Sequence, residues 1–461
     1  MIRLFRVFIP HSVLLLLLSE AVLLYFCLCL ASILILDVDP QFFLFYDGGL
    51  ARFSIVVVSI LGGMYFEDLY TNLRIRSRLL LLQQVSISLG VSFLVQALLT
   101  YIDPALMTPR WVMFYAGLLT LIILPAYRIA YTAAVLRKLS ARRVLLVGNS
   151  PVLGEIARRF RETPELGLTA IGYLDEEEGK APDGVRYLGS IKNLKKTVKE
   201  EKPELLVVGL EERRGRLPVY DLLELRLEGT EIEDAGHVYE IAHSRISIRE
   251  LKPSQLVFTS EIGPPPGSVM LQNAYSMLIA LLGTILFLPV MLLVAAAVKL
   301  TSTGPVFYRQ MRVGRNGKTF ELLKFRSMYE DAEARSGAVW AAKDDPRVTP
   351  AGRWLRLFRL DELPQFFNIL RGEMNLVGPR PERPEFVKSL SEQIPFYQQR
   401  HRVKPGITGW AQINHKYGNT IEDTIIKLEY DLYYIKHISP ALDMYIVFHT
   451  LKTVLLGRGA H

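Results

Sequence analysis

Two adjacent carboxylates, Asp361 and Glu362, have sequence surroundings that suit chemistry on a phosphate group. Leu363-Pro364-Gln365 follow them, and an apolar run then ends at Gly372. Proline is tolerated in the first turn of a helix and glycine often ends one, so the pattern predicts a helix with Asp361 near its N-terminus. An ionised carboxylate there can attack a phosphoryl group and form an aspartyl phosphate. A simple capping aspartate explains the same spacing, and spacing alone favours that structural interpretation.

Basic residues lie on both sides of this pair. Six fall around the turn at residues 314–317, and they are Arg309, Arg312, Arg315, Lys318, Lys324 and Arg326. Three more recur at three-residue spacing near one helical face, and they are Arg353, Arg356 and Arg359. Arginine can bind phosphate oxygens with two parallel hydrogen bonds, so these residues could surround a diphosphate. The competing interpretation is a charged surface that faces solvent or lipid.

Two loops rich in proline and glycine are predicted to be rigid. Residues 374–385 present Arg380 and Arg383, which could hold a nucleotide or its phosphates. Residues 400–414 present Trp410, Gln412 and Asn414, which offer an aromatic face and amide groups for polar recognition.

Metal ligands are sparse in the sequence. No two histidines have metal-ligand spacing, which argues against a zinc site. Asp344-Asp345 could bind Mg²⁺, but a solvated turn before Pro346 is the favoured interpretation.

The composition places this chemistry beside a membrane. The 461 residues include 54 lysines and arginines against 46 aspartates and glutamates, and residues 301–461 contain 24 of the basic and 17 of the acidic ones. The basic C-terminal third should attract phosphate-rich partners. Its arginines lie among rigid proline loops and no groove-reading element is recognisable, which argues against nucleic acid. Half of the residues are apolar and lie in long runs, which excludes a disordered or disulfide-stapled chain.

Four apolar runs precede residue 140, and they are Val7–Leu36, Leu50–Phe66, Leu79–Ile102 and Trp111–Val135. A bilayer core about 30 Å thick is crossed by about 20 helical residues, so the runs are candidate spans. Basic flanks alternate with acidic ones, which predicts four spans with both ends in the cytoplasm. Cys27 and Cys29 are predicted to be membrane-buried thiols. Glu20 is either a functional acid or a polar contact inside the bundle.

Residues 141–262 alternate between strand and helix patterns. Arg143–Gly148 and Glu204–Gly209 predict buried parallel strands, and Pro151–Arg161 and Lys192–Lys202 predict helices. This order indicates a Rossmann-like domain. Its phosphate-binding glycine pattern is poor, because only the first glycine position, Gly148, is filled. A structural, sensing or oligomerising role is therefore favoured over a bound dinucleotide, and the proline-rich linker at 263–267 marks the boundary.

A fifth apolar run, Met270–Leu300, is interrupted by Pro289. If it crossed the membrane, the basic segment after it would lie outside the cytoplasm, against the charge rule. Because proline kinks a helix, the favoured prediction is a re-entrant helix, residues 269–300, that bends near Pro289. A kinked fifth span is the alternative. Residues 425–456 predict core packing plus an amphipathic helix at the membrane interface.

Four stretches of the C-terminal third together resemble the bacterial sugar transferases, in the large form of the monotopic phosphoglycosyl transferases. They are KFRSM (Lys324–Met328), KDDPRVTPAGRWLR (Lys343–Arg356), LDELPQFFNILRGEMNLVGPRPE (Leu360–Glu382) and VKPGITGWAQIN (Val403–Asn414). The resemblance is strongest over residues 270–460 and more diffuse before them. It implies an exopolysaccharide polyprenyl glycosylphosphotransferase that primes exopolysaccharide or capsule synthesis.

This resemblance implies a reaction and assigns residues to it. A sugar 1-phosphate would move from a UDP-sugar to polyprenyl (undecaprenyl) phosphate, with Mg²⁺ as cofactor and UMP released. Asp361 is implied to be the nucleophile that forms a covalent intermediate, and Glu362 to assist as metal ligand or base. Expected substrate-binding residues are Lys324, Arg326, Arg353, Arg380, Arg383 and Gln412; expected metal ligands are Asp361 and Glu362; and the membrane bend is expected at Pro289.

The expected fold is a membrane α-helical bundle plus α/β. It comprises a four-helix transmembrane bundle (1–140), a Rossmann-like parallel-sheet domain (141–262) and a mainly helical monotopic catalytic domain with a re-entrant membrane helix (263–461). The protein is expected in the bacterial inner (cytoplasmic) membrane, in contact with membrane lipid, with its soluble domains in the cytoplasm and its N-terminal extension as a candidate homodimer surface. The competing hypothesis is a catalytically silent membrane sensor or scaffold whose Rossmann-like domain binds a nucleotide. The intact DELPQ and GPRPE motifs weigh against it.

Overall fold

The computed structural model describes residues 2–4, 7–9, 11–36, 39–70, 77–138, 142–176, 184–210, 217–251, 266–329, 347–415 and 420–455. The chain divides into two compact units, with the main division between Ile232 and Glu233; of the described N-terminal residues, Arg3, Leu4 and Val7 group with the second unit. The sequence predicts three domains with boundaries at 140 and 262. In the structure, the long N-terminal helices and most of the parallel sheet therefore belong to one unit. The predicted linker at 263–267 lies largely outside the described residues.

Long apolar helices build the first part of the N-terminal unit. After the strands β1 (Ile2–Leu4) and β2 (Val7–Ile9) come the helices α1 (His11–Ile35), α2 (Pro40–Phe45), α3 (Gly49–Phe66), α4 (Arg78–Ile102) and α5 (Arg110–Lys138). The four long helices share a core that includes Leu24, Phe53 and Val85. Their outer sides are apolar too, which is typical of helices in a membrane. Each is long and apolar enough to cross one.

The first span is shorter than the sequence predicts. The apolar run begins at Val7, but residues 7–9 form a strand and the helix begins at His11. Pro10 separates the two elements. The residue before a proline is biased towards extended backbone, which ends the strand and delays the helix.

Glu20 of α1 makes polar contacts inside this helical core. Its carboxylate pairs with Arg128 of α5 (Oε1 to Nε, 3.2 Å) and accepts a hydrogen bond from the Tyr70 hydroxyl at 2.6 Å. Both charged side chains are almost completely buried. The structure therefore favours the interpretation of Glu20 as a bundle-facing polar contact.

A five-stranded sheet follows in the order β5-β4-β3-β6-β7. Its strands are β3 (Arg142–Val147), β4 (Leu168–Leu174), β5 (Tyr187–Gly189), β6 (Leu205–Val208) and β7 (Glu231–Asp234), and its helices are α6 (Pro151–Glu162), α7 (Leu194–Glu201) and α8 (Val219–Leu227). The first strand, β3, lies in the centre and pairs in parallel with β4 and β6. Numbered along the chain within this sheet, the order is 3-2-1-4-5, which is that of a Rossmann fold, so the Rossmann-like prediction is confirmed.

In the turn after β3, two backbone amides donate hydrogen bonds to carbonyl groups of neighbouring turns and strands. Gly148 N donates to Leu174 O at 2.8 Å and Ser150 N donates to Gly209 O at 3.1 Å. A Cβ on Gly148 would lie 2.1 Å from Gly209 O, so this glycine permits close packing of two turns. In a dinucleotide site these amides would bind a diphosphate. Here both amides are bonded to backbone carbonyls of the protein itself.

The segment after β7 packs within the C-terminal unit, although the sequence predicts it to belong to the Rossmann-like domain. It comprises helix α9 (Ala235–His243) and residues up to 251. Glu240 lies 2.6 Å from His437 Nε2 and 2.9 Å from Lys436 Nζ. Ile246 and Ile248 join the apolar core of that unit. Complementary charge and apolar burial therefore tie this segment to the C-terminal unit.

The C-terminal unit combines helices with two small sheets. Its elements are α10 (Pro266–Thr301), β8 (Phe307–Val313), β9 (Thr319–Phe325), α11 (Pro350–Leu357), α12 (Gln365–Leu370), β10 (Asn375–Val377), α13 (Pro384–Gln393), β11 (Gly406–Thr408), α14 (Trp410–Asn414), α15 (Ile421–His437) and α16 (Pro440–Leu455). β8 and β9 form an antiparallel hairpin around the turn at residues 314–317. The parallel pair β10–β11 is not predicted from the sequence.

One face of α10 contacts this unit along much of its length: Gln272 and Ser276 bond to β10 near the start of the helix, and two apolar contacts follow. Ala280 lies in a core with Phe320 and Ile369, and Met291 begins a second contact with Phe325. Between these contacts and along the opposite face the side chains are apolar and exposed, and they are Leu278, Leu281, Leu282, Ile285, Leu286, Phe287, Leu288, Leu292 and Leu293. Pro289 lies within the helix, close to the second contact.

Candidate active site

The carboxylate pair lies on a short 3₁₀ helix, Leu360–Glu362, between α11 and α12. Lys324 Nζ donates to Glu362 Oε1 at 2.9 Å, and Arg380 Nη2 lies 3.7 Å from the same oxygen. Arg359 Nη1 lies 3.6 Å from Glu362 Oε2. Within the described part of the chain, no side chain forms a hydrogen bond or ion pair with the Asp361 carboxylate. Both carboxylates are buried, yet only Glu362 is directly neutralised.

Asp361 does not cap a helix. Arg359 adopts a left-handed backbone conformation (φ +53°) and precedes the 3₁₀ turn, and α12 begins later, after Pro364. No side chain caps either helix start. The interpretation of Asp361 as a simple capping aspartate is therefore wrong. Positive φ at a residue other than glycine costs about 1–3 kcal/mol and clusters at functional sites.

The environment separates the acidities of the two carboxyl groups. Burial raises the pKa of Asp361, and the charge of Glu362 adds to the rise, while Lys324, Arg356 and Arg359 oppose it. Burial also acts to raise the pKa of Glu362, but Lys324, Arg380 and Arg359 outweigh it and hold that pKa at about 2. Glu362 is therefore a fixed anion, while Asp361 carries the more basic and more nucleophilic carboxylate.

Asn368 fixes the carboxylate segment against the hairpin. Its side chain is fully buried on α12, where Nδ2 donates to Glu321 O at 2.7 Å and Oδ1 accepts from Leu323 N at 3.0 Å. Both partners lie on β9, next to Lys324. These two bonds therefore set the position of Lys324 relative to Glu362.

Three glycines allow two backbone segments to pack closely: residues 378–383, called here the Arg380 loop, and residues 403–409, which include Lys404. A Cβ on Gly406 would lie 2.1 Å from Gly378 N, and one on Gly409 would lie 2.2 Å from Gly378 O. Real Cβ atoms do not approach backbone so closely, so each site needs glycine. Gly406 N also donates to Pro379 O at 3.0 Å. The backbone just before Arg380 is thus held by the backbone around Gly406.

Arg400 holds the Arg380 loop through a hydrogen bond to its backbone. Its guanidinium is buried, pairs with Asp431 Oδ2 at 2.8 Å and donates to the Tyr397 hydroxyl at 2.8 Å. A further bond runs from Nη2 to Arg380 O at 3.0 Å. The sequence places Arg400 in a basic loop, but neither its buried partner on α15 nor its contact with the Arg380 backbone is visible there.

Of the predicted substrate-binding residues, Lys324 and Arg380 contact the carboxylate pair. Arg326 has other partners: its Nη2 donates to Ser302 O at 2.9 Å and its Nη1 to Thr303 O, at the end of α10. The buried Arg326 therefore closes a helix end, and its contacts do not support a role in substrate binding.

The other predicted residues lie away from these contacts. Arg353 is exposed on α11, and Arg383 lies 3.6 Å from Glu385 Oε2. Gln412 Nε2 donates to Ile407 O at 3.0 Å. Trp410 is buried and stacks on Tyr433 at 5.7 Å, so its ring belongs to the core and is not available for a substrate.

A divalent cation fits this site as a partner of a bound diphosphate. Mg²⁺ is commonly held by one or two carboxylates plus substrate phosphates, and Asp361 offers a carboxylate without a cationic partner. Glu362 is a poorer ligand because three cations already face it. Within the described residues, no group of three or more metal-binding side chains comes together. Asp344-Asp345 lie outside the described residues.

Comparison with family models gives two matches. The model of the bacterial sugar transferases matches residues 268–457, and that of a CoA-binding domain matches residues 65–216. The first match contains the whole carboxylate site, and the second includes most of the parallel sheet.

Individual relatives carry consistent names. The UDP-N-acetylgalactosamine-undecaprenyl-phosphate N-acetylgalactosaminephosphotransferase of Aeromonas hydrophila is 44% identical over 227 residues, 49% of this chain and 53% of that protein. The UDP-glucose:undecaprenyl-phosphate glucose-1-phosphate transferase of Escherichia coli K12 is 33% identical over 442 residues, 93% of each chain. The exopolysaccharide production protein ExoY of Sinorhizobium fredii is 37% identical over 204 residues, 41% of this chain and 88% of that protein. The match spans about half of the Aeromonas protein and nearly all of the Escherichia protein, and the chain belongs to the bacterial sugar transferase family.

Proposed function

We propose that the protein transfers a sugar 1-phosphate from a UDP-sugar to polyprenyl (undecaprenyl) phosphate and releases UMP. This would be the priming step of exopolysaccharide or capsule synthesis. The observation that carries the proposal is the asymmetry of the carboxylate pair, in which three cations hold Glu362 while Asp361 is left without a direct partner among the described residues. The names of the relatives support both substrates.

The reaction has two displacements at one phosphorus. The Asp361 carboxylate attacks the phosphorus that bears the sugar, a new P–O bond forms, and the bond to UMP breaks with its electron pair leaving on UMP. An oxygen of polyprenyl phosphate then attacks the same phosphorus and expels Asp361 as a carboxylate. The product is a polyprenyl diphosphate sugar. Covalent catalysis divides a difficult transfer into two easier ones.

The basic residues supply electrostatic stabilisation. Arg380 and Arg359 lie beside the pair and can bind the negative charge that develops on the diphosphate. Mg²⁺, when bound, would supply further neutralisation of that charge, with Asp361 as its main carboxylate ligand and Glu362, already paired with cations, as the weaker one.

Glu362 is better suited to orient cations than to accept a proton. A carboxylate with a pKa near 2 is a weak base at neutral pH. Its oxygens instead fix Lys324 and Arg380 in place.

The membrane location follows from the helices. We propose an inner-membrane protein whose first four long helices span the bilayer and whose soluble parts face the cytoplasm. The contacts of α10 at Ala280 and again at Met291 support a re-entrant helix, because they attach two nearby points of the helix to the C-terminal unit. By length and composition alone, α10 could also cross the bilayer. The exposed apolar residues around position 286 would dip into the inner leaflet. A homodimer through the N-terminal helices remains part of this proposal.

The test uses full-length protein in nanodiscs with Mg²⁺, undecaprenyl phosphate and either UDP-glucose or UDP-N-acetylgalactosamine. We expect UMP release with one donor and, without undecaprenyl phosphate, a mass increase of one sugar phosphate on Asp361. Asp361→Asn should abolish both signals. Asp221→Asn, at a half-buried aspartate on α8 that pairs with Lys195, is the matched control and should retain them. Full turnover by Asp361→Asn would remove Asp361 as nucleophile, and no UMP from a wider panel of UDP-sugars would favour the silent scaffold.

A further inference from the structure

A buried polar cluster joins α10, β10, α15 and α16. Its side chains are Gln272, Tyr275, Asn375, Tyr434 and Asp443. Gln272 Nε2 donates to Asp443 Oδ2 at 2.7 Å, and the Tyr434 hydroxyl donates to Asp443 Oδ1 at 2.8 Å. The Tyr275 hydroxyl also donates to Asp443. All but Tyr275 are almost completely buried.

Asp443 is unusual in having only neutral partners. Within the described residues, no lysine or arginine pairs with it. Burial raises its pKa to about 6 although three donors oppose the rise. A carboxylate buried without a cation is costly. An apolar residue would serve a purely packing role at lower cost.

The cluster leads directly to the Arg380 loop. Gln272 Oε1 accepts from Asn375 Nδ2 at 3.0 Å, and Gln272 Nε2 lies 3.2 Å from Val377 O. The Tyr434 hydroxyl lies 3.2 Å from the same carbonyl. Val377 is the last residue of β10, three positions before Arg380. The order of contacts is therefore Asp443, Gln272, β10 and Arg380.

The helices on either side of the cluster both carry exposed apolar residues. Met270 and Leu271 are exposed at the start of α10, and Met444, Phe448 and Leu451 are exposed on α16. Under the proposed function these residues face lipid, so the cluster connects two lipid-facing helices to the loop that binds the diphosphate.

We propose that Asp443 and Gln272 are positioning residues for the transfer reaction, which hold β10 against α10 and α16 and so place Arg380 beside the carboxylate pair. This rests on the proposed function. Because Asp443 helps to hold Arg380 in position before the UDP-sugar arrives, no free energy of binding is spent on ordering the Arg380 side chain and its loop.

The test compares Asp443→Asn with wild type as full-length protein in nanodiscs, using UDP-glucose or UDP-N-acetylgalactosamine, whichever the wild type turns over. We expect KM for the UDP-sugar to rise about tenfold, as for the loss of one well-placed hydrogen bond, with KM for undecaprenyl phosphate unchanged. A merely structural role would lower the folded fraction and the apparent kcat but leave KM unchanged. Thr453→Val is the control on α16, because among the described residues its hydroxyl bonds only to His449 O of the same helix.

A double-variant cycle tests whether Asp443 acts through Arg380. Asp443→Asn combined with Arg380→Gln should be no worse than Arg380→Gln alone, because the misplaced group is already absent. Additive losses would overturn the proposal, as would an unchanged KM in a fully folded Asp443→Asn protein. Gln272→Met is the second variant if Asp443→Asn does not fold; failure of both to fold would make the cluster structural and reject the proposal. A wild type that releases no UMP would instead reject the proposed function.

Discussion

Asp361 and Glu362 are neighbours in the chain, yet the fold gives them different tasks. Lys324, Arg359 and Arg380 converge on Glu362, which becomes a permanent anion that orients cations. Asp361 shares the burial but none of these direct contacts, so its pKa rises while that of Glu362 falls. Two carboxyl groups whose acidities are driven apart are the usual sign of divided catalytic roles.

The pH dependence of turnover should report Asp361. In the proposed reaction its ionised form is the nucleophile, so activity should be lost as the pH falls through the pKa of Asp361. Burial raises that pKa, which places the acid limb above the range of an ordinary aspartate. Arg359 lowers the pKa of Asp361. Arg359→Gln should therefore move the acid limb of kcat/KM to higher pH, besides reducing its maximum. The exposed Arg371→Gln should leave the limb in place. An unchanged limb in Arg359→Gln would show that another group controls it.

At the scale of elements, the site depends on backbone packed against backbone. The backbone just after β10 approaches β11 and the residue that follows it so closely that glycine is required at 378, 406 and 409. Arg400 and Asp431 then brace the Arg380 loop from α15. Loops held in this way are rigid, which is what a diphosphate-binding arginine needs.

Gly406→Ala tests the packing of the two loops. The new methyl group would meet Gly378 N at 2.1 Å, so the loops must separate and Arg380 must move away from Glu362. We expect stability to fall by about 1–3 kcal/mol or more and turnover to be largely lost. Gly267→Ala, in open space at the start of α10, should change neither. UMP release and thermal unfolding measure the two effects, and a fully active Gly406→Ala would contradict the close approach.

Arg400→Met, alone and with Asp431→Leu, distinguishes two roles of Arg400: holding the Arg380 backbone and neutralising Asp431. The variant leaves Asp431 buried without its partner, which should cost about 3–5 kcal/mol. Adding Asp431→Leu removes the unpaired charge and should restore much of the thermal stability. Activity should stay low in the double variant, because the bond from Arg400 to Arg380 O is still missing. Recovery of activity together with stability would mean that Arg400 does not position the loop.

At the scale of the whole molecule, the chain joins membrane helices, a parallel sheet and a catalytic unit. The catalytic unit includes α9 and the segment to residue 251, through Glu240 with Lys436 and His437. A water-soluble UDP-sugar and a lipid phosphate can meet only at the headgroup level. Helices with exposed apolar faces, α10 and α16, would keep the catalytic unit at that level.

Cysteine labelling tests the topology. In a variant with Cys27 and Cys29 replaced by alanine, single cysteines are introduced as Tyr46→Cys, Tyr220→Cys and Lys388→Cys. In intact spheroplasts, an impermeant maleimide should label only Tyr46→Cys, because the other two sites would face the cytoplasm. Breaking the membrane should expose both. Labelling of Lys388→Cys in intact spheroplasts would mean that α10 crosses the bilayer, and the catalytic unit would then be separated from UDP-sugars.

The sequence by itself determined the apolar helices, the Rossmann-like sheet and the identity of the acidic pair, because hydrophobic periodicity and linear motifs are local properties. Tertiary structure decided which cations face which carboxylate. Lys324, Arg326 and Arg380 look alike as basic residues in motifs, but only folding brings Lys324 and Arg380 to Glu362 and sends Arg326 to the end of α10. Trp410 likewise resembles a recognition residue and lies in the core. Contacts between residues distant in the chain depend on packing. Neither the Arg400–Asp431 pair nor the Gln272–Asp443 pair could therefore be predicted from a local sequence pattern.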